Sequence, residues 1–397
     1  MKSQSETQQS GPLAGVTVLE VSSVVMAPMA GRIMAKLGAQ VIRVEPPQGD
    51  VIRRTGAARH ESMTGAALAL GDGKLNIAVN LRTEAGRAEL RRLIVRSDVV
   101  ITNHLPKRRP GFGLDWESVR EIDDTTILCT AQGYSSLSEL ADVPAYDDTV
   151  QAAAGTCDIY AKSDGVPRYA PYVMADKICG LTIVYSILAA LHHRDRTGQG
   201  QWVDVPMVDV MADFNLIEQL NDYTFEPALG AAGWHRTLAP ARKPHPAQNG
   251  WICILPYTDQ NWRDFLHLAG VAATTDQTVP FPTNRDRNIH TEAVQGIIAD
   301  YAATKSIEEI VRECTTIGIP AQPVHTIESL MTDPYLRSRD TVELIDHPSE
   351  GKVWRSTPNI GFSATPLAPV RYAGKVDQDR DEIIEILNES TVKESYV

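Results

Sequence analysis

The feature that most constrains this chain is a change of hydrophobic period that recurs through its N-terminal third. Residues 16–21 (VTVLEV) have the β-branched run of a strand, 29–37 (MAGRIMAKL) the spacing of a helix, and 40–44 (QVIRV) a strand again, closed by Glu45. A second cycle follows in 75–81 (LNIAVNL), 84–96 (EAGRAELRRLIVR) and 98–102 (DVVIT), and a further strand in 126–130 (TILCT). Strand–helix–strand units of this length build a parallel sheet covered by helices, an α/β fold. The connections 46–73 and 103–114 are long and rich in Gly, Pro and basic residues. Long ordered connections in such folds tend to carry function.

A strong helix is expected over 176–193, with Leu181, Val184, Leu188 and Leu191 on one stripe, then the turn 194–200 (RDRTGQG) and a strand at 201–205. Between 221 and 246 the pattern dissolves into Gly, Ala, Pro and isolated aromatics, which reads as a linker. Residues 250–325 read as a smaller α/β unit, with a strand (WICILP) and helices near 261–268 and 306–318. The segment from 333 ends in a charged helix, 378–388.

Composition narrows the function classes. Lys and Arg total 38 against 50 Asp and Glu, a net charge of −12, which argues against a nonspecific nucleic-acid binder. The longest predominantly apolar stretch, near 181–191, falls short of the roughly 18 residues that span a bilayer. The first residues, MKSQSETQQSGP, have no apolar core of a secretory signal. Cys129, Cys157, Cys179, Cys253 and Cys314 are widely spaced, with no CxxC and no Cys/His cluster, so neither a disulfide framework nor a metal site is expected. The expectation is a soluble, reduced, cytoplasmic protein without membrane or nucleic-acid partners.

The motifs leave choices open. Glu45 stands where a dinucleotide fold places its ribose-binding acid, but the turn 22–28 (SSVVMAP) has no glycine and GxGxxG is absent, so no nicotinamide or flavin is expected. Lys107, Arg108 and Arg109 form a basic cluster on an acidic chain, either a solvated run or a phosphate site. Asp176, opening the apolar helix, is either an N-cap or a desolvated carboxylate nucleophile. Of the adjacent Asp147 and Asp148, one can serve as a polar partner in a site. GxSxG, the P-loop and HExxH are all absent.

Several strings, in order, carry more. They are GPLAGVTVLEV from Gly11, LGAQVIRVEPPQGD closing on Asp50, KLNIAVNLRTEAGRAEL from Lys74, SDVVITNHLP, GLDWESV from Gly113, PAYDDTVQAAAG ending at Gly155, ILAALHHRDRTGQGQWVDVPMVD closing at Asp209 and DPYLRSRDTVELIDHPSEGKV closing at Val353. Together they resemble the family III CoA-transferases, the group holding formyl-CoA transferase, carnitine CoA-transferase and α-methylacyl-CoA racemase.

The resemblance implies a large Rossmann-like domain built from both chain ends (1–220 and 331–397), a smaller inserted α/β domain with its linker (221–330), and an interlocked homodimer. It implies Asp176 as nucleophile and Asp147 beside it. Coenzyme A or its acyl esters, as substrate, would be held by Val25 and Met26, by Gly71, Asp72, Gly73 and Lys74, and by Asn103, His104, Leu105, Arg108 and Arg109. Partners would be an acyl-CoA donor and a carboxylic-acid acceptor, with no metal. Departures from the family are Val25 where formyl-CoA transferase has Gln, His104 where an aromatic is common, Gly111 where an Arg is expected, and Pro46 in place of a basic residue. Two other readings compete: an α-methylacyl-CoA racemase and an inactive acyl-CoA-binding relative. The racemase needs a His base where Tyr146 stands, and an ordinary tyrosine, with a pKa around 10, is a poor base near neutrality.

Overall fold

The apolar runs form one parallel sheet. In the computed structural model β1 (Thr17–Val21), β2 (Gln40–Glu45), β3 (Lys74–Ala78), β4 (Val99–Thr102), β5 (Ile127–Gln132) and β6 (Trp202–Pro206) lie in the order β3-β2-β1-β4-β5-β6. Residues 10–271, 279–367 and 371–388 are described. Successive strand residues face opposite sides, and both sides are covered. Val18, Val41, Ile101 and Cys129 pack under α1 (Met26–Lys36) and the long Met174–Thr197 helix. Leu19, Ile42, Ile77 and Leu128 pack under α3 (Glu84–Val95), which follows the short α2 (Gly65–Gly71). Two-sided burial is why the strands read as continuous apolar runs and not as alternations.

The strand order reverses between β1 and β4, so a crevice opens at their carboxyl ends, where open α/β sheets bind ligands. At the far edge, no strand among the described residues lies beyond β3. Its Asn76 and Ala78 N–H groups donate instead to Asp379 Oδ2 and Asp377 Oδ1, both at 2.8 Å, just before the Arg380–Asn388 helix. Ile383 and Leu387 of that helix join the core beside Leu90 and Leu93.

The chain divides into two units: Met1–Ala154, Ala170–Phe214 and Arg337–Val397 in one, Gly155–Tyr169 and Asn215–Leu336 in the other. These limits differ from the expected ones at 220 and 331. The division after Phe214 falls inside the helix Met207–Gln219, whose apolar pattern carries no mark of it. The stretch 155–169, read as part of the larger domain, belongs to the smaller unit, as do residues 221–246 that read as a linker. In the smaller unit β7 (His245–Ala247), β8 (Gly250–Ile254) and β9 (Ala321–Pro323) form an antiparallel sheet over a core of Trp262, Phe265, Ile298, Ile310 and Cys314.

Before that division lie α4 (Asp147–Ala153) and α5 (Met174–Thr197). The sequence understated α5. Cys179, Ile183, Ile187 and Ala190 form its buried stripe, whereas Leu181 and Leu188 are exposed. By length and composition α5 could cross a bilayer, yet 56% of its apolar window is buried inside the protein, as in a core helix.

Candidate active site

The site is built from the turn between β1 and α1, which contains no glycine. Asn103, just past β4, clasps it: the Ser23 N–H donates to Asn103 Oδ1 (3.0 Å), and Asn103 Nδ2 donates to the Ser23 carbonyl (2.8 Å). Val24 has φ +69°, a left-handed conformation rare for a β-branched residue, and its N–H donates to Asp50 Oδ2 at 2.9 Å. Val25 precedes α1 without a side-chain cap, and the first helical turn holds no acidic residue. The leading N–H groups of α1 therefore have no partner from within the helix or from a cap. Val25 packs with Met29 against Ile52, Ala67 and Leu70, and Met26 is buried.

The second half comes from α5. A Cβ at Gly180 would stand 2.9 Å from the Met26 carbonyl, so the glycine lets the start of α1 lie against the second turn of α5. Asp176 is one turn earlier on the same face. The capping expectation for Asp176 is corrected: Val173 holds the N-cap position, and Asp176 lies inside the first turn. Its own N–H donates to Asp147 Oδ1 at 2.9 Å. Gln151, one turn along α4, donates to Asp147 Oδ2 and accepts from the Ala170 N–H at 2.9 Å. Both Asp147 oxygens thus act as acceptors, whereas Asp148 is exposed. Asp176 is 8% and Asp147 7% exposed. Burial, followed by the charge of Asp147, pushes the Asp176 pKa up to about 7.

The remaining candidates are placed differently. Lys74 opens β3 and is 1% exposed; it donates to Glu20 Oε2 (2.5 Å) and the Pro28 carbonyl (2.7 Å), and burial lowers its pKa to about 8. Asp72 is buried against Lys36, between Gly71, the last residue of α2, and Gly73 at φ +87°. Arg109, read as a phosphate cation, is 4% exposed and donates inward to the His104 carbonyl, Ser136 and Gln132. Lys107 and Arg108 are the exposed cations of that cluster. Leu105 is half-buried, and the His104 ring lies 5.2 Å from that of Phe112. Burial, with Arg108 and Arg109 nearby, lowers the His104 pKa to about 4. Sequence reasoning missed Gln151, although its i,i+4 spacing from Asp147 was visible, and it missed the support that Asp50 gives Val24. Among the described residues no group of three or more His, Cys, Asp or Glu side chains could hold a metal.

Residues 13–380 match the family model described as CoA-transferase family III. The chain belongs to CoA-transferase family III. This family III CoA-transferase is 31% identical over 385 residues to the succinate–glutarate CoA-transferase of Agrobacterium fabrum, covering 94% of this chain and 95% of that protein. It is 27% identical to the succinyl-CoA:mesaconate CoA-transferase of Haloarcula hispanica, covering 94% and 96%. The crystal structure of a CAIB/BAIF family protein from Brucella suis superposes with TM-score 0.80 at 29% identity, covering 96% of this chain and all of that one. The family III CoA-transferase is therefore an enzyme that uses CoA thioesters as substrates.

Proposed function

We propose that this enzyme moves CoA between dicarboxylic acids, with Asp176 as its covalent nucleophile and a succinyl-CoA-type ester as donor. The observation that carries this reading is a carboxylate buried at the head of α5 whose pKa is raised by burial and by the charge of a second carboxylate, Asp147. A carboxylate stripped of water is a stronger nucleophile than a solvated one. The substrate class rests on the acids named for the relatives.

The ionised Asp176 attacks the thioester carbonyl carbon; the C–S bond breaks, CoA leaves as thiolate, and a mixed anhydride remains. The thiolate then attacks the aspartyl carbonyl of that anhydride, releasing the first acid and leaving an aspartyl-CoA thioester. The acceptor carboxylate enters and the two steps run in reverse, so an acyl-CoA leaves and Asp176 is restored. Each step exchanges one activated acyl group for another and needs no outside energy source. The uncapped start of α1, against the second turn of α5, offers N–H donors for the oxyanions, a contribution of about 3–4 kcal/mol per donor in other acyl transfers. Asp147, accepting at both oxygens, positions Asp176 through its N–H.

The racemase reading finds no support at its base position, because Tyr146 is 67% exposed. A homodimer of interlocked chains belongs to the proposal. The exposed apolar row Leu181, Tyr185 and Leu188 on α5 supports a second copy, and sedimentation showing a stable folded monomer at nanomolar concentration would count against it. The deciding experiment incubates the enzyme with succinyl-CoA, traps with hydroxylamine and maps the product by mass spectrometry. Modification at Asp176 is expected; transfer with no label there overturns the mechanism.

A further inference from the structure

We infer that Asp50 is a positioning residue for the CoA-ester pocket, holding the β1–α1 turn in the conformation that sets Met26 beside the nucleophile helix. This rests on the reading that the turn borders that pocket. Val24, at φ +69°, is in a region that L side chains with a branched Cβ adopt only under constraint. Left to itself the residue would return to negative φ and redirect the two residues that follow.

Two side chains supply the constraint. Asn103 fixes the peptide on one side through both Ser23 bonds, and Asp50 fixes the Val24 N–H itself. Asp50 is itself held by several hydrogen bonds. It is 2% exposed, its Oδ1 accepts from the Ile52 N–H (3.2 Å), its Oδ2 also takes Arg43 Nη2 (2.5 Å), and its N–H donates to Glu45 Oε1 (3.1 Å). The turn is thereby tied to the buried ion cluster under β1 and β2. Its far side leads directly to Met26, whose carbonyl faces Gly180 one turn past Asp176.

Three variants separate positioning from plain structural support. Asp50→Asn retains an oxygen that can accept from Val24. Asp50→Ser can still cap Ile52 but is too short to reach Val24. Val24→Gly removes the steric cost of positive φ. Two readouts are needed: hydrogen exchange of the Val24–Ala27 amides, which is independent of any activity, and KM and kcat for the acyl-CoA donor.

Asp50→Ser is expected to speed exchange across the turn and raise KM by about tenfold with a much smaller change in kcat. Asp50→Asn should stay within about threefold of wild type, and Asp50→Ser/Val24→Gly should return to within about threefold of Val24→Gly alone. Unchanged exchange in Asp50→Ser, or a double variant no better than Asp50→Ser, overturns the inference, as does equal damage from Asn and Ser. A wild-type enzyme that transfers no CoA while its turn still loosens in Asp50→Ser would sink the transfer reading and leave the hold by Asp50 supported.

Discussion

Two buried carboxylates, both in the larger unit, behave in opposite ways. Under β1 and β2, Glu45 is fully buried but bonded by Arg53 through Nε and Nη2, with Arg43 Nη2 at 3.7 Å. Against the upward push of burial, these cations hold its pKa down to about 2. At the head of α5, Asp176 is similarly buried and meets another carboxylate, and its pKa rises to about 7. Burial pushes both pKa values up; cations overcome it at Glu45, whereas at Asp176 the charge of a second carboxylate adds to it and makes the ionised group costly to the fold.

The largest expected effect breaks the reactive half. Asp176→Asn should lose transfer by roughly 10⁴-fold or more, the scale seen when a nucleophile is removed, while CoA binding by calorimetry persists. Retained transfer would erase the contrast. The structural half is tested by Glu45→Gln, which leaves Arg53 and Arg43 with a neutral partner. Breaking a buried ion pair costs about 3–5 kcal/mol, read as a lower denaturation midpoint. In wild type the Glu45 contribution, about 3 kcal/mol, is present above pH ~4.5 and is lost as pH falls toward 2.

Asp176 should have the opposite sign. Its folded pKa is raised, so the folded chain keeps a proton that the unfolded chain releases between about pH 4 and 7. Stability should fall across that window by up to about 4 kcal/mol, and Asp176→Asn should melt higher than wild type at pH 9. A variant melting lower there would contradict the electrostatic account. Acylation should rise with pH through about 7 and level off above it, because only the ionised form attacks. The smallest effect belongs to the exposed cations: Lys107→Ala/Arg108→Ala should weaken CoA binding about threefold to tenfold at low salt and less at high salt, as screening predicts. Arg109 is left intact because its guanidinium holds Gln132 and Ser136 in place.

The sequence made the sheet legible because each βαβ cycle announces itself by its period, and the match to the family strings pointed to Asp176 and Asp147. Charge was less informative than it looked. Arg109 read as part of a phosphate-binding cluster because a sequence reports charge and not burial, yet it turns inward, as does Lys74, which the resemblance placed against CoA. From the residues alone Asp176 also read as a cap, because an acid at the first turn and an acid at the N-cap differ by only three positions. Val24 gave no local signal: a left-handed residue is usually announced by Gly or Asn, and here two distant side chains impose it. The chain crossing at 214 lies inside an unbroken helix, where no composition shift marks it.

The carboxylates that close the open edge of β3 have a consequence for biosynthesis. Asn76 and its partner Asp379 are 303 residues apart. At about 5–20 residues per second, the edge stands bare on the ribosome for roughly 15–60 s before its covering arrives. An uncovered edge strand is a template for pairing with neighbouring chains. Nascent chains truncated before Asp377 should therefore be the aggregation-prone ones, and a chaperone that shields strand edges would act on this enzyme during that interval.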